Sequence, residues 1–377
     1  MVLLILFLLY RKCVNADVTK NKAYDYDIDG LMCPSWLRDY KQLHDDKRNQ
    51  NAKTITFVSN SGGDAGLGDR IRGVMWNLRA AMESNRVFFI SITHPLDLRS
   101  VWEPNHIDWT SRTISGTNQR MGTNITMNLL SQSAPQHIIV QGGGFPFAPD
   151  PIIWSNKFYF NSSIHSPDYH CLFHFLFKPS AKLIRALDAE KIAKFGSKDA
   201  VYTSIQLRAG NLLGESNEVN NRGNDLYNLI GAFYCANSFS VRRNITATYL
   251  LSDDTVMRDA VRMGYFAGVN ATGPSVRHAV HTKYKSGDAL HFNTFVEMGM
   301  IGGGACIIFS RSGFNDMARW FGKNFDCIEL IFSRYEHIHD GIDFVVRSYG
   351  PDGLRDAECF REFESNEGRV TRKKIRN

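Results

Sequence analysis

The sequence is short of long hydrophobic runs. Its N-terminal apolar stretch, Met1 to Tyr10, falls well below the roughly 20 residues that a membrane-spanning helix needs. The stretch has the form of a signal-peptide hydrophobic region, and Val14–Ala16 supplies the small residues that precede a cleavage point. We therefore expect residues 1–16 to be a signal peptide or a short signal-anchor, with any membrane attachment made through this N-terminus.

Several well-known chemical motifs are also missing. A phosphate-binding P-loop needs Gly-Lys-Ser/Thr, which the sequence lacks, and a dinucleotide fingerprint needs a third small residue where Ile71 stands. No Gly-x-Ser-x-Gly elbow points to a hydrolase. The cysteines lack the paired spacing of a zinc site, and the histidines lack metal-ligand spacing on a helix face. His170 and His174, in an aromatic run, are more simply read as packing residues.

Composition is that of a soluble globular protein. The chain has 377 residues, of which 43% are hydrophobic and 22% are charged, and this length favours two domains. The net charge of +6 is partly concentrated in the terminal run 369–376. No aromatic residues alternate with these basic ones, so we expect a solvated tail and no nucleic-acid partner.

The cysteines and asparagines favour the secretory pathway. Cleavage after Ala16 would remove Cys13 and leave six of the seven cysteines, an even number compatible with disulfides, although Cys306 could simply be buried in a strand. Four asparagines begin an Asn-x-Ser/Thr acceptor: Asn124, Asn161, Asn244 and Asn270. We expect the protein in the lumen of the endoplasmic reticulum or the Golgi.

Changes in pattern along the chain suggest the domain boundaries. Residues 17–50 are polar and irregular, which indicates a stem or N-terminal wrap without a core. Residues 51–196 are predicted to form one domain, and residues 197–332 a second one. Residues 333–377 form a C-terminal extension with the basic tail.

One buried strand runs directly into an arginine. The alternation from Val201 to Leu207 predicts a strand, and Gly210 allows a tight exit that leaves Arg208 at its carboxyl end. Ligands of open α/β sheets bind at such ends. A guanidinium held there suits a phosphate, although an isolated arginine at this point could equally make an interdomain salt bridge.

Two later strands also end in polar groups. Thr248–Leu251 leads into Ser252, Asp253 and Asp254 and then a helix, while Ala305–Phe309 leads into Ser310, Ser312 and another helix. The first-turn amides of that second helix, around Gly313 and Phe314, could hold an anion. Taken singly, these residues could be turn or cap residues. Their shared position predicts that three strand ends converge on one site.

A glycine turn precedes the first long helix. Gly66, Gly68, Asp69 and Arg70 lie between a predicted strand and a helix starting near Arg70. This turn could simply start the helix, or it could place charge at the edge of a cleft.

At these residues the chain resembles the GDP-fucose-dependent fucosyltransferases related to the protein O-fucosyltransferases and to the α-1,6-, α-1,2- and xyloglucan-type enzymes. The resemblance spans roughly residues 54–322. Gly66–Arg70 is similar to the family's Gly-x-Gly-Asn-Arg turn, with Asp69 in place of asparagine. Ser204–Asn211 is similar to the His-x-Arg strand, with Gln206 in place of histidine and Asn211 in place of aspartate. Leu250–Asp254 and Phe295–Ala318 resemble the family's Ser-Asp segment and its Ser-x-Ser-x-Phe-x-x-x-Ala pattern.

The resemblance implies an α/β, GT-B-like fold, with two Rossmann-like domains facing a cleft. Residues 51–196 would be the N-terminal domain on the acceptor side, and residues 197–332 the C-terminal domain that binds the nucleotide sugar. It implies an inverting transferase that moves fucose from GDP-fucose to a glycan or protein hydroxyl. Arg208 would stabilise charge on the leaving diphosphate, and Asp69, or less directly Asp64, would be the base. The implied donor-binding residues are Gly66, Gly68, Arg70, Gln206, Arg208, Asp253, Asp254, Ser310, Ser312, Gly313 and Phe314. No Asp-x-Asp clamp stands beside the strand ends, so we expect no required metal or cofactor.

Three other functions remain open on the sequence. Gln206 and Asn211 depart from the family pattern, which leaves room for a non-catalytic protein that binds a nucleotide sugar or a glycan. The donor could be another nucleotide sugar. The first glycine turn also suggests a nucleotide-cofactor oxidoreductase, against which Ile71 argues.

Overall fold

The computed structural model describes residues 24–60, 66–110, 117–120, 136–141, 167–207, 226–252, 255–266, 269, 271–272, 288–310, 313–322, 328–331, 337–338, 341–342 and 347–348. Within these ranges the structure contains two parallel sheets, with helices packed against them.

The first described segment is a hairpin followed by a helix. Strands β1 (Tyr24–Ile28) and β2 (Leu31–Pro34) pair antiparallel, and helix α1 spans Trp36–Lys47. The turn residues Asp29 and Gly30 both have positive φ, as a tight two-residue hairpin turn requires. Ile28, Leu37 and Tyr40 are buried in the main core. The expectation that residues 17–50 carry no core is therefore wrong, because one face of this polar-looking segment is apolar.

The first sheet has the order β4-β3-β7-β6, and all its strands are parallel. Its strands are β3 (Thr54–Ser59), β4 (Val87–Ile92), β6 (Thr117–Arg120) and β7 (His137–Gln141). Helix α2 (Leu67–Glu83) lies between β3 and β4 in the sequence. Helix α2 packs against β3 and β4. It begins three residues earlier than the sequence predicts.

An aromatic segment links this sheet to the rest of the chain. It comprises a 3₁₀ turn (Leu98–Ser100), β5 (Trp102–Pro104), α3 (Pro167–Leu176), β8 (Phe177–Pro179) and α4 (Ala181–Phe195). Trp102 is fully buried and contacts Phe173 edge-on at 5.1 Å between ring centroids. Helix α4 is capped by the Ser180 hydroxyl and ends at Gly196 in the left-handed conformation.

The second sheet has the order β11-β10-β9-β12-β13-β16, parallel except for the last strand. Its elements are β9 (Tyr202–Leu207), α5 (Leu226–Arg243), β10 (Ala247–Ser252), α6 (Thr255–Arg262), β11 (Ala271–Thr272), α7 (Asp288–Gly302), β12 (Cys306–Ser310), α8 (Gly313–Phe321), β13 (Ile328–Ile331) and β16 (Arg347–Ser348). A separate two-residue pair, β14 (His337–Ile338) and β15 (Gly341–Ile342), is antiparallel.

Helices cover both faces of the second sheet. Every residue of β9 is buried, as parallel strands between helical layers require. One face packs Ile205 and Leu207 against α5 and α6, and the other packs Tyr202 against Phe195 of α4, with stacked rings 4.7 Å apart. The α/β class with parallel sheets is confirmed. The division into two domains facing a cleft, with the boundaries given above, stays a prediction.

Disulfides are present in the described part of the chain. Cys33 of β2 is bonded to Cys171 of α3, 138 residues away in sequence. Cys235 and Cys306 are also disulfide-bonded, and both lie in the apolar cluster under α5 and α6. Cys306 is therefore a disulfide cysteine as well as a buried strand residue. Cys327 and Cys359 lie outside the described residues.

Loss of the Cys33–Cys171 bridge should be costly. The chain-entropy model gives about 5 kcal/mol for a loop of this length, and native disulfides typically contribute about 2–5 kcal/mol. We expect Cys33→Ala, Cys171→Ala and the double variant to lose a similar amount, because each abolishes the same bond. Urea unfolding measures this. A double variant within about 0.5 kcal/mol of the parent protein would contradict the expectation.

Candidate functional site

The three polar strand ends lie side by side. Strand β9 is central, with β10 and β12 as its parallel neighbours, and the register places Ser252 opposite Leu207 and Phe309 opposite Gln206. The carboxyl ends of the three strands therefore reach the same edge of the sheet, as the sequence predicts. Several predicted site residues follow these ends directly but lie outside the described residues: Arg208, Asp253, Asp254 and Ser312. Asp64 also lies outside them.

Helix α8 begins at this same edge. It starts at Gly313, three residues after the last residue of β12, and Phe314 and Asn315 complete its beginning. The first amide groups of a helix have no partner within the helix, and the helix dipole adds partial positive charge there. The edge thus combines strand ends with a helix N-terminus, which is suited to an anion such as a phosphate.

Two buried amide side chains join the strand to the helix. Asn315 of α8 donates a hydrogen bond from Nδ2 to Oε1 of Gln206 on β9. Both residues are almost fully buried. The predicted donor contact Gln206 therefore has a protein partner on the helix whose first turn is the candidate anion site. Asn315 is a residue that sequence reasoning placed only as a helix start.

The N-terminus of α2 meets the N-terminus of α8. A Cβ atom added at Gly68 would lie 2.0 Å from the carbonyl carbon of Gly313 and 2.5 Å from the amide nitrogen of Phe314. Only glycine permits this approach of two backbones. The contact that Gly68 makes in the structure is therefore between two helices, and its predicted donor-binding role stays a prediction.

Charged side chains from both helices surround this contact. Arg72 of α2 pairs with Asp69 at 3.1 Å and with Asp316 of α8. Asp69 Oδ1 also lies 3.0 Å from the position that a Cβ of Gly313 would take. The Asp69 side chain is 31% exposed, whereas the Asp316 side chain is 5% exposed. Asp69 is consequently the more accessible of the two carboxylates, and Arg72 offsets part of the charge of both.

Arg70 takes a different direction from its neighbours. Its guanidinium donates to the carbonyl oxygen of His94, next to the cis peptide bond of Pro95, and the residue is fully buried. This contact supports the loop after β4. Gly66 precedes α2, and its carbonyl accepts hydrogen bonds from the amides of Asp69 and Arg70. The donor-binding roles of Gly66 and Arg70 stay predictions.

A buried ion pair supports the end of β10. Arg258 of α6 donates to the carbonyl oxygen of Ser252 and, at 2.8 Å, to Glu297 of α7. Burial raises the pKa of Glu297, and the Arg258 charge opposes this rise. Arg258 thus holds the last carbonyl of β10, one residue before Asp253. Neither partner carries a local sequence signal, because they are 39 residues apart.

The histidines noted in the sequence are packing residues. His170 is buried, with its Nδ1 3.3 Å from the carbonyl oxygen of Gly322, and His174 is buried in α3. Burial lowers the pKa of His170 well below its usual value, and nearby Arg319 adds to the effect. His44, whose Nε2 lies 3.1 Å from the Phe88 carbonyl oxygen, also has a pKa lowered chiefly by burial.

These histidines make stability depend on pH. Below about pH 6.5 the unfolded chain takes up protons that buried, neutral His44 and His170 do not. The free energy of unfolding should therefore fall with decreasing pH, by up to about 1.4 kcal/mol per pH unit for each histidine. Replacing His44 by glutamine should reduce this slope between pH 6.5 and 5. Urea unfolding across that range tests it, and an unchanged slope in His44→Gln would contradict the expectation.

Within the described residues, the structure contains neither a metal-binding cluster nor a membrane-crossing helix. Among them, no three or more His, Cys, Asp or Glu side chains are grouped as a metal would require. No helix in the described ranges is both long and apolar enough to cross a membrane.

Of the four glycosylation candidates, only Asn244 is described, and it is exposed with a positive φ in the turn after α5.

Comparison with solved structures connects this architecture to known enzymes. A mutant of Arabidopsis thaliana FUT1 in complex with GDP matches with a TM-score of 0.52 and 12% sequence identity, over 84% of this chain and 82% of that one. The chain shares the fold of this structure. The GT-B-like class implied by the sequence is thereby confirmed.

Two further structures match with lower TM-scores. The fucosyltransferase NodZ from Bradyrhizobium has a TM-score of 0.44 and 12% sequence identity, over 79% of this chain and 99% of that one. POFUT1 in complex with GDP has a TM-score of 0.43 and 10% sequence identity, over 74% of this chain and 98% of that one. The sequence matches no family model and no curated protein.

Proposed function

We propose that the protein is a glycosyltransferase that moves fucose from GDP-fucose to a hydroxyl of a glycan or protein. The observation that carries the proposal is the edge at which β10, β9 and β12 end and α8 begins. It combines the ligand position of open parallel sheets with a helix N-terminus suited to phosphate. The similar fold of FUT1, solved with GDP, supports a GDP-sugar as donor.

Arg208 would act on the leaving group. Breaking the bond between the sugar and the diphosphate leaves negative charge on the phosphate oxygens, and a guanidinium can bind two of them at once. Arg208 follows β9 directly. Ser310, Ser312 and the amides of Gly313 and Phe314 would hold the diphosphate.

The remaining roles concern the base and the nucleoside. Asp253 or Asp254 would contact guanosine beyond the end of β10. Asp69 is the proposed base, and its partial exposure supports this, because a hydroxyl acceptor can reach it more readily than buried Asp316. Attack from the face opposite the diphosphate would invert the configuration of the sugar. No metal is assigned a role in this scheme.

A binding protein without catalysis is the second candidate. The hydrogen bond between Gln206 and Asn315 favours it, because it gives Gln206 a protein partner where the enzymes carry histidine. Such a protein would retain the donor site and release no GDP.

Ligand binding and turnover separate these possibilities. At 100 times its Kd, GDP should stabilise the protein by about 2.7 kcal/mol and raise Tm by about 3 °C, whereas UDP should have little effect. Incubation of the full chain with GDP-fucose and an acceptor array should release GDP. Binding of GDP without turnover on any acceptor supports the second candidate, and a UDP-specific shift points to another nucleotide sugar. A response to neither nucleotide contradicts the donor site itself.

We also propose that the protein works in the secretory pathway and carries a glycan at Asn244. Disulfides such as Cys33–Cys171 persist in oxidising compartments. Asn244 and Thr246 of the acceptor triplet are both exposed, which an oligosaccharide-transferring enzyme requires. Peptide mass spectrometry after secretion from eukaryotic cells tests this. An unmodified Asn244 would contradict it.

A further inference from the structure

We propose that Asn315 and Gln206 are positioning residues, whose hydrogen bond fixes the first turn of α8 relative to the strand that carries Arg208. The inference rests on the proposed function, since it assigns these side chains to the alignment of a donor diphosphate with its arginine. It gives Gln206 a role distinct from direct donor contact.

The bond is part of a row of contacts along one face of β9. Tyr202, Ser204 and Gln206 alternate along the strand and therefore point to the same side. The Tyr202 hydroxyl donates to the Met300 carbonyl oxygen at 2.7 Å, and the Ser204 hydroxyl donates to the Ile301 carbonyl oxygen at 2.7 Å. These two bonds hold β9 against the end of α7. Gln206 continues the row, but its partner is Asn315, at the beginning of α8.

The position of this last bond distinguishes it from the other two. Gln206 lies opposite Phe309, so the bond spans from β9 to the helix that follows β12, at the level where the strands end. Gln206 precedes Arg208 by two residues in the sequence, so the bond links the first turn of α8 to the strand end that comes before the arginine.

Burial makes the bond consequential. Asn315 is 1% and Gln206 is 6% exposed. A hydrogen bond is electrostatically stronger in the protein interior than in water, so the pair favours one placement of α8 against β9. Because transition-state stabilisation depends on geometry at the ångström level, an error of about 1 Å in the alignment can cost about 100-fold in rate. Loss of the bond should therefore reduce kcat more than the affinity for GDP.

The test is a double-mutant cycle on the full chain. Asn315→Ala, Gln206→Ala and the double variant should each lower kcat for transfer from GDP-fucose about 10- to 100-fold, while the Kd of GDP changes less than about threefold. The double variant should be no slower than the slower single one. The exchanged pair, Gln206→Asn with Asn315→Gln, keeps both amides and should recover at least part of kcat. If the alanine variants fail to fold, the exchanged pair still tests the inference.

Ser204→Ala is the matched control. It removes a bond of the same face that ends on α7, so it should lower Tm without lowering kcat more than about threefold. The inference is overturned if kcat is unchanged in the single variants, if the two losses multiply in the double variant, or if GDP affinity falls in step with kcat. A parent protein that binds GDP and shows no transfer overturns the proposed enzyme and this inference together, whereas active protein with insensitive variants overturns this inference alone.

Discussion

Replacing Arg208 by alanine is expected to lower kcat for sugar transfer by about 100- to 1,000-fold. A preorganised donor aimed at developing charge contributes about 3 to 4 kcal/mol to a transition state, and Arg208 follows the central strand at the edge where α8 begins. Arg208→Lys should retain only part of the rate, because an ammonium group cannot bind two phosphate oxygens in the planar geometry of a guanidinium. Release of GDP under saturating GDP-fucose measures both effects.

The matched control for Arg208 is Arg185→Ala. Arg185 is exposed on α4, and its replacement removes the same charge from the protein. It should leave kcat within about twofold of the parent value. Equal losses in Arg208→Ala and Arg185→Ala would attribute the effect to overall charge and would contradict a local role for Arg208.

The second large effect is expected at Gly68. Gly68→Ala places a methyl group 2.0 Å from the carbonyl carbon of Gly313, and backbone atoms on both sides cannot yield as a flexible side chain can. Overpacking of this kind typically costs about 1–3 kcal/mol, and here it also displaces the first turn of α8. We expect a loss of at least about 3 kcal/mol in the free energy of unfolding, together with weaker GDP binding.

Gly299→Ala provides the comparison. Gly299 also lies within a helix, but its added Cβ would meet only the side chain of Leu187, with Cδ2 at 2.7 Å. That side chain can rotate, and alanine favours a helix by about 1 kcal/mol over glycine. The variant should therefore stay within about 1 kcal/mol of the parent protein. If Gly68→Ala proved as mild as Gly299→Ala, the close contact between α2 and α8 would be contradicted.

Local patterns in the sequence were sufficient to predict the regular elements around the candidate site. The apolar run before Arg208 and the cap residues Ser180 and Gly196 predict β9 and the limits of α4, because strand burial and helix capping depend on neighbouring residues. The convergence of the three strand ends also followed from the sequence, since parallel strands joined by helices share one ligand-binding edge.

Contacts between distant segments could not be predicted in the same way. The apolar face of residues 24–47 was missed because only a few of its residues are large and apolar, and their partners lie in α3 and elsewhere in the core. The packing role of Gly68 depends on Gly313, 245 positions later. The bond between Asn315 and Gln206 likewise joins residues 109 positions apart. None of these partners can be identified without the fold.

The departures from the fucosyltransferase pattern gain a physical meaning in the structure. Asp69, which stands where asparagine is common, lies beside Gly313 and pairs with Arg72, so its added charge has a neighbouring cation. Gln206, which stands where histidine is common, bonds to Asn315. Both substitutions are accommodated by specific partners at the meeting point of the two helices and the strand ends.

A crystal structure of the full chain with GDP tests the proposed donor site most directly. We expect the diphosphate to lie against the first turn of α8, at the ends of β9, β10 and β12, with the guanidinium of Arg208 in contact with its oxygens. A diphosphate bound away from this edge, or an Arg208 side chain that points away from the nucleotide, would contradict the assignment.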